Sequence, residues 1–291
     1  MARIDISISL LSFNTKDFLE KCLHSIYKGS KNLNIEILLV DNASKDGTVQ
    51  MVREKFPKVS LIANRTNRLY IRGHNQNLRR VRGKYFLILN EDTVLPPNTL
   101  GKMAEFMDKN PQVGLSGCRQ IGDRGVLDKT CSNFPHPIDE ILESTSFGKL
   151  LQKTFAGNQI RKRLRYYRIA SWPRNTIRRV DVLPGSLILG RSKLLKEVGI
   201  LDEKTLKFFY GEPDYCRRVK LTGYEIVHLG QVTIRHLKSK AFSKLPSFTR
   251  FNLARGDMLA FYKKYFGFFW WIVLYVLTLP DFAYWRLKNS N

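Results

Sequence analysis

The sequence predicts an α/β protein: a mostly parallel central sheet flanked by helices, followed by a C-terminal helical appendage. Three observations carry this. Through the first 120 residues, short apolar or β-branched runs alternate with stretches of helical periodicity, the pattern of successive strand–helix units. The run IEILLVD at 35–41 is apolar without clean alternation, as in a strand covered on both faces. Polar residues recur where the runs end, at Phe13-Asn14, Asp41-Asn42, Asn64 and Asn90-Glu91-Asp92, which is where such sheets bind ligands.

In chain order, 4–13 reads as the first strand and stops at Asn14-Thr15. Phe18, Leu19, Cys22, Leu23 and Ile26 fall at helical spacing over 18–27. After the 35–41 strand, Ser44-Lys45-Asp46-Gly47-Thr48 supplies polar capping residues for a helix running to Phe56. A third strand is expected at 59–64, a helix at 74–82, a fourth strand at 85–90, a helix opened by Pro96-Pro97-Asn98-Thr99, and a fifth strand at 113–118. Residues 120–179 are less regular and strongly basic. Order resumes with a strand at 180–190 broken by Pro184-Gly185, then a helix at 192–198. In 208–229, Pro213 suits a first helical turn, Glu212 lies near the cap and Gly223 marks the stop. There are no repeats and no Gly/Ser- or Pro-rich linker.

The chain has 291 residues, 43% of them apolar, enough to fill a sizeable core and to exclude a disordered chain. Cys22, Cys118, Cys131 and Cys216 form neither a disulfide framework nor a zinc spacing, which points to a reducing, cytosolic setting. Lys and Arg outnumber Asp and Glu by 49 to 25, a formal charge of +24, which asks for an anionic partner. The excess gathers at Arg72, Arg79, Arg80, Arg82 and Lys84 and again over 161–179; a solvated basic face is the plain alternative. No nucleic-acid-binding motif accompanies the charge, and acidic residues at the strand ends argue against such a partner. The apolar stretch near the start lacks a basic leader and does not read as a secretory signal. Residues 265–279, YFGFFWWIVLYVLTL, carry no charge but are shorter than the roughly 20 residues of a spanning helix. Lys263-Lys264 before them, and Tyr284, Trp285, Arg286 and Lys288 after, suit a helix lying in a membrane interface. A buried helix, or one covered by an oligomer partner such as a second copy in a dimer, is the alternative.

Asn90-Glu91-Asp92 directly follows an apolar strand, and carboxylates there can share a divalent cation with substrate phosphates. At this point the chain resembles the inverting glycosyltransferases of family two, which have the GT-A fold, and within them the rhamnosyltransferase-like group of surface-polysaccharide biosynthesis. Six stretches carry the resemblance in order: ISLLSFNTKDFLEKCLHSI, LLVDNASKDGT, FLILNEDTVLPPNTL, VDVLPGSLILGRSKLLKEVGILDE, FFYGEPDYCRRVKLTGYEI and IRHLKSKA. They cover about 1–120 and 180–240. The resemblance implies a transferase domain over 1–240, with a nucleotide-sugar half (1–120) and an acceptor and base half (180–240), and a membrane-interfacial segment over 241–291.

The resemblance further implies roles. Phe13 and Asn14 border the donor base. Asp41 accepts from a uracil or thymine ring with Asn42 beside it. Asn67, Gly73 and Asn75 belong to a loop over the nucleotide, and Arg68 and Arg72 reach its phosphates. Asp92 is the metal-binding carboxylate for Mg2+ or Mn2+, supported by Glu91, and His236 reaches the metal or the diphosphate. Glu212 or Asp214 is the base. Three plain readings stand beside these: Asn75 as a helix cap, Asp214 as a favourable charge at a helix start, and Cys216 as packing. Two departures matter. Glu91 replaces the usual central residue before the metal ligand, and Glu212 stands where the family has Asp, which leaves the base open between 212 and 214. The implied reaction is a single in-line displacement from a UDP- or dTDP-sugar, dTDP-rhamnose among them, to a hydroxyl of a lipid-linked or polysaccharide acceptor at the cytoplasmic face of the cell membrane. Two other readings are an inactive homologue that binds a nucleotide-sugar without turnover, and a basic nucleic-acid-binding protein.

Overall fold

The computed structural model describes residues 3–30, 32–238 and 245–288. The boundary expected at 240/241, and IRHLKSKA from Ser239 onward, lie outside them. Four strand–helix units and a further strand open the chain: β1 (Ile6–Ser12), α1 (Lys16–Gly29), β2 (Ile35–Asp41), α2 (Thr48–Lys55), β3 (Ser60–Ala63), α3 (Leu69–Leu78), β4 (Tyr85–Asn90), the short β5 (Thr93–Val94), α4 (Thr99–Lys109) and β6 (Val113–Ile121). There follow β7 (Leu127–Asp128), α5 (Pro137–Ser144), α6 (Ser146–Leu151), α7 (Gly157–Tyr167), β8 (Ile177–Arg179), β9 (Leu187–Arg191), α8 (Leu194–Glu197), α9 (Gly211–Leu221), β10 (Glu225–His236), α10 (Ser247–Leu277) and α11 (Leu279–Lys288).

The strands form one sheet in the order β3-β2-β1-β4-β9-β6-β10-β5, with β7 on β6 and β8 on β10. Pairing is parallel through β3-β2-β1-β4 and between β6 and β10. The register aligns Ser12 with Asp41 and Leu11 with Asn90, so three polar strand ends meet at one edge. The sheet is more mixed than the sequence predicts, because β9 runs antiparallel between β4 and β6. The expected strand over 180–190 begins only at Leu187: Val182 makes a lone bridge to Ser132, and Pro184-Gly185 turn the chain into the cleft wall. The helix expected at 74–82 lies at 69–78 because the Asn67 side chain accepts from the Leu69 amide and starts it earlier. The irregular 120–179 stretch holds three helices and two short strands.

Two apolar layers cover the sheet. Leu19, Cys22, Leu23 and Ile26 of α1 pack with α2 and α4 on one face. Ile71 of α3, Tyr215 and Val219 of α9, and Met258 and Phe261 of α10 pack on the other. Each such buried Leu or Ile contributes roughly 1.5–3 kcal/mol. All four cysteines are free and buried, and burial pushes the Cys131 and Cys216 thiols up to about 12, so these two pack rather than react.

The first strand, ISISL, turns Ile6, Ile8 and Leu10 to the α1 side and Ser7 and Ser9 to the α3 side. The small serines let α3 and the 82–83 turn approach closely; a Cβ on Gly83 would stand 2.7 Å from the Ser7 nitrogen. Buried polar groups there need partners. Asn77 donates to the Leu10 and Leu38 carbonyls at 2.9 Å, and Ser9 Oγ bonds His74 Nδ1 at 2.8 Å.

α10 bends at Gly267, whose φ of 85° breaks the helix. Among the described residues no single helix is long and apolar enough to cross a membrane; α10 and α11, bent by 43°, pass that test only together. Of the 265–279 run, Leu274 is buried while Phe268, Phe269 and Val276 are exposed.

Burial lowers the His74 pKa from 6.5 to about 3, so the fold admits only the neutral ring. Below pH 6.5 the unfolded chain takes up a proton that the folded chain refuses, so this residue's contribution falls as pH drops from 6.5 towards 3. Between pH 7 and pH 5 the loss is about 2 kcal/mol. Urea unfolding at both pH values should show a pH 5 deficit in the wild type that shrinks by about that amount in His74→Gln; an unchanged deficit would mean that His74 is protonated inside the fold.

Candidate active site

The aligned ends of β1, β2 and β4 form one wall of a cleft of about 500 Å³. Leu11, Phe13, Asn42, Asn90, Glu91 and Asp92 line that wall, as expected where parallel strands end. The 184–186 turn, Phe208, Phe209, Tyr210 and Glu212 face them, with His236 and Lys238 closing one side.

On the nucleotide side, Asn42 organises the 64–69 loop. Its amide donates to the Leu69 carbonyl at 3.3 Å and its oxygen accepts from Asn64 Nδ2 at 3.0 Å and from the Arg68 amide at 3.3 Å. Asn67, in the cleft lining, turns the chain into Leu69, whose φ is 63°. Asn14, at φ 54°, lies beside the cleft and joins two strand ends: its amide donates to Ser44 and its side chain accepts from the Lys45 amide. Asp41 lies buried beneath the wall. Its Oδ1 accepts from the Ser44 amide at 2.9 Å, Oδ2 has no hydrogen-bond partner among the described residues, and burial raises its pKa. An acceptor left this way suits a ligand N–H.

Three residues expected over the nucleotide are placed elsewhere, because 69–78 is helix rather than loop. Gly73 packs under Leu11, whose methyl would stand 2.4 Å from an added Cβ. Asn75 is buried; it donates to the Leu201 carbonyl and Glu203 and accepts from the Leu201 amide, tying α3 to the 201–203 segment. Arg72 is exposed on α3 and does not line the cleft, whereas Arg68 stays on the 64–69 loop.

The acidic end is assembled by the pairing of β5 with β10, which sets Thr93 opposite His236. His236 Nε2 lies 3.1 Å from Asp92 Oδ1, and its Nδ1 lies 3.5 Å from Asp128 Oδ2. Burial acts to lower the His236 pKa, but the carboxylates of Asp128 and Asp92 outweigh it and raise it to about 9. Lys238 Nζ reaches Asp128 at 2.8 Å. Neither Asp128 nor Lys238 is singled out by the sequence; Asp128 sits in a two-residue strand without a motif. Among the described residues no three His, Cys, Asp or Glu side chains form a complete metal cage. The Asp92 carboxylate nevertheless fits Mg2+ or Mn2+, which take few protein ligands and complete their shell with phosphate oxygens and water, and His236 would join it only as the neutral ring.

The opposite side separates 212 from 214 by position: Glu212 lines the cleft and Asp214 does not. Glu212, in the first turn of α9, is half-buried in the cleft, and burial raises its pKa. Gly185 makes room for it: a Cβ there would stand 2.0 Å from Glu212 Oε1 and 2.5 Å from the Tyr70 hydroxyl, which donates to the Gly185 carbonyl. Asp214 is a correction. It is fully buried outside the cleft, paired with Arg218 at 2.8 Å and with Lys264 at 2.5 Å, and accepts from Tyr265 at 2.7 Å. Asp257 of α10, which carries no sequence signal, accepts from the amides of Lys207, Phe208 and Phe209 at 2.7–2.9 Å and so fixes the aromatic wall beside Glu212.

The fold and the acidic cleft define a GT-A-like α/β protein. The sequence profile of Glycosyl transferase family 2 matches residues 7–169, more than half of the chain, and the chain belongs to that family. The abequosyltransferase RfbV of Salmonella typhimurium is 30% identical over 123 residues, 40% of this chain and 37% of that protein. The chain spans less than half the length of the curated relatives it matches first. The mannosyltransferase PcManGT from Pyrobaculum calidifontis, in complex with GDP-Man and Mn2+, has TM-score 0.57 at 17% identity over 91% of this chain and 64% of that one. TarS 1-349 of S. aureus, in complex with UDP-GlcNAc, has TM-score 0.55 at 16% identity over 89% and 67%. These two similarities speak for the fold. The family match ends before α9 and β10, so Glu212 and His236 are placed by the structure alone.

Asp257→Ala should leave three amides unpaired and lower stability by about 3 kcal/mol. Urea unfolding with hydrogen exchange should show lost protection at residues 207–209; unchanged exchange there would mean that the wall does not depend on Asp257.

Proposed function

We propose that the protein is an inverting glycosyltransferase that moves a sugar from a UDP- or dTDP-sugar, dTDP-rhamnose being one candidate, to an acceptor hydroxyl in surface-polysaccharide synthesis. The observation that carries this reading is the common cleft: Glu212 and the Asp92–His236 pair line the same cavity as Phe13 and Asn42. Glu212, its pKa raised by burial, takes the proton of the acceptor hydroxyl. Asp41, with Phe13 and Asn42, receives the pyrimidine. Asp92 and His236, with Glu91 in support, would hold Mg2+ or Mn2+, which when bound would offset charge on the departing nucleoside diphosphate. Phe208, Phe209 and Tyr210 form the acceptor side and position it, and positioning supplies much of the remaining rate. The UDP-GlcNAc held by the TarS structure supports a uridine donor, and the GDP-Man with Mn2+ in the archaeal structure supports a metal.

The acceptor in this reading is lipid-linked or a growing glycan. The exposed Phe268, Phe269, Ile272, Val276 and Leu287 of α10 and α11 lie on the cytoplasmic face of the cell membrane, where the chain's positive charge meets acidic lipid.

A panel of nucleotide-sugars, each with and without Mn2+ or Mg2+, tests the reading. One pyrimidine-linked donor should release its nucleoside diphosphate only with metal, and Asp92→Ala should lower that release by at least about 10²-fold. Tight donor binding without release or transfer, even with lipid-linked acceptors present, would favour a nucleotide-sugar-binding protein without turnover.

A further inference from the structure

Apart from the cleft, α7 and the 169–178 segment enclose a second basin of about 540 Å³. Arg161, Lys162, Arg165 and Arg178 line it together with Asn133 and Asn158, and no carboxylate does. The charges of α7 are sorted by side. Arg163 pairs with Asp139 at 2.6 Å and Arg168 pairs with Glu143, both on α5. Arg161, Lys162, Arg165 and Arg178 have no carboxylate partner among the described residues. Arg161 instead donates to the Gln152 carbonyl and to Asn158, and Arg178 lies 5.2 Å from the Trp172 ring.

A fifth cation, Arg174, lies outside that lining and shares the Trp172 ring with Arg178. Arg174 is fully buried and donates to the carbonyls of Cys131, Arg168, Ile169 and Trp172, with no carboxylate partner among the described residues. It holds a turn in which Ile169 and Arg174 both have positive φ, and its guanidinium lies 5.2 Å from the same Trp172 ring. Like charges one helical turn apart, as at Arg161 and Arg165, repel each other. A buried cation with no counter-ion raises the positive potential around it further. The four lining charges are stabilised together by one multiply charged anion, and guanidinium forks match phosphate oxygens in pairs.

We propose that this basin is a phosphate-binding site, taking a phosphomonoester or diphosphate group. It stands apart from the Glu212 cleft and does not rest on the function assigned there. The group can belong to a lipid headgroup or to a free phosphate compound. Leu150 and Phe155, at the chain segment that Arg161 binds through Gln152, are 63% and 98% exposed and would accompany a lipid.

The test uses the full chain in EDTA, with pyrophosphate as the probe, read by calorimetry and by hydrogen exchange over 157–167. Pyrophosphate should bind and protect α7, and Arg161→Gln/Arg165→Gln should weaken binding at least about tenfold. Lys58→Gln/Lys102→Gln, which removes equal charge from exposed sites elsewhere, should leave it unchanged. Absent binding, equal affinity in the Arg161/Arg165 variant, or an equal loss in the Lys58/Lys102 variant would overturn the proposal. Flotation with phosphatidylcholine vesicles, with and without phosphatidylglycerol, then separates the sources. Loss of phosphatidylglycerol-dependent flotation in the Arg161/Arg165 variant assigns a lipid headgroup, and unchanged flotation assigns a free phosphate; both support the site.

Discussion

Asp257 reaches from α10 to three consecutive backbone amides, and the acceptor side of the cleft depends on that contact. A carboxylate costs free energy to bury unless its oxygens are satisfied. Three amide donors satisfy it and thereby fix residues 207–209, which lead directly into α9 and Glu212. A second tie, Asp214 to Lys264 and Tyr265, locks α9 itself to α10 about two turns further along α10. The C-terminal helix is therefore part of the cleft's framework and not an appendage to a complete domain.

That connection joins the parts of the molecule. The helix that pins Glu212 continues, past the break at Gly267, into the exposed aromatic stretch ending in α11. On the other wall, Asn42 sets the 64–69 loop and the β5–β10 pairing brings His236 to Asp92. Gly185 lies between, small enough to leave the Glu212 carboxylate and the Tyr70 hydroxyl in place. Few of these restraints are apolar. The core sets the positions of the strands, while hydrogen bonds to backbone groups aim the side chains at the cleft.

Much of the first half was legible because its signals are local. The apolar runs of β1, β2 and β4 announce buried strands, and their polar ends fall at the cleft because parallel register aligns them. The later half was less legible because its elements depend on distant partners. β5, β7 and β8 are too short to show periodicity, and β9 is defined by insertion between β4 and β6. The glycine and asparagines near 67–77 pointed to a nucleotide loop, but Gly73 and Asn75 serve helix packing and a tie to residues 201–203. Glu212 and Asp214 could not be told apart in sequence, since both sit in a first helical turn; only the fold shows that one faces the cleft and the other faces Lys264. Asp128 and Asp257 lie in no motif, and nothing short of the tertiary structure brings them to the site.

In the proposed reaction Glu212 carries the chemistry, while Asp214 holds α9 to α10. The most direct measurement compares transfer rate and unfolding midpoint in Glu212→Gln and Asp214→Asn. Glu212→Gln should lose about 10²–10⁴-fold in rate with its midpoint unchanged. Asp214→Asn should lose about 3–5 kcal/mol of stability, while its folded fraction turns over within about tenfold of wild type. A Glu212→Gln enzyme near the wild-type rate, or an Asp214→Asn enzyme that is stable yet inactive, would contradict the account.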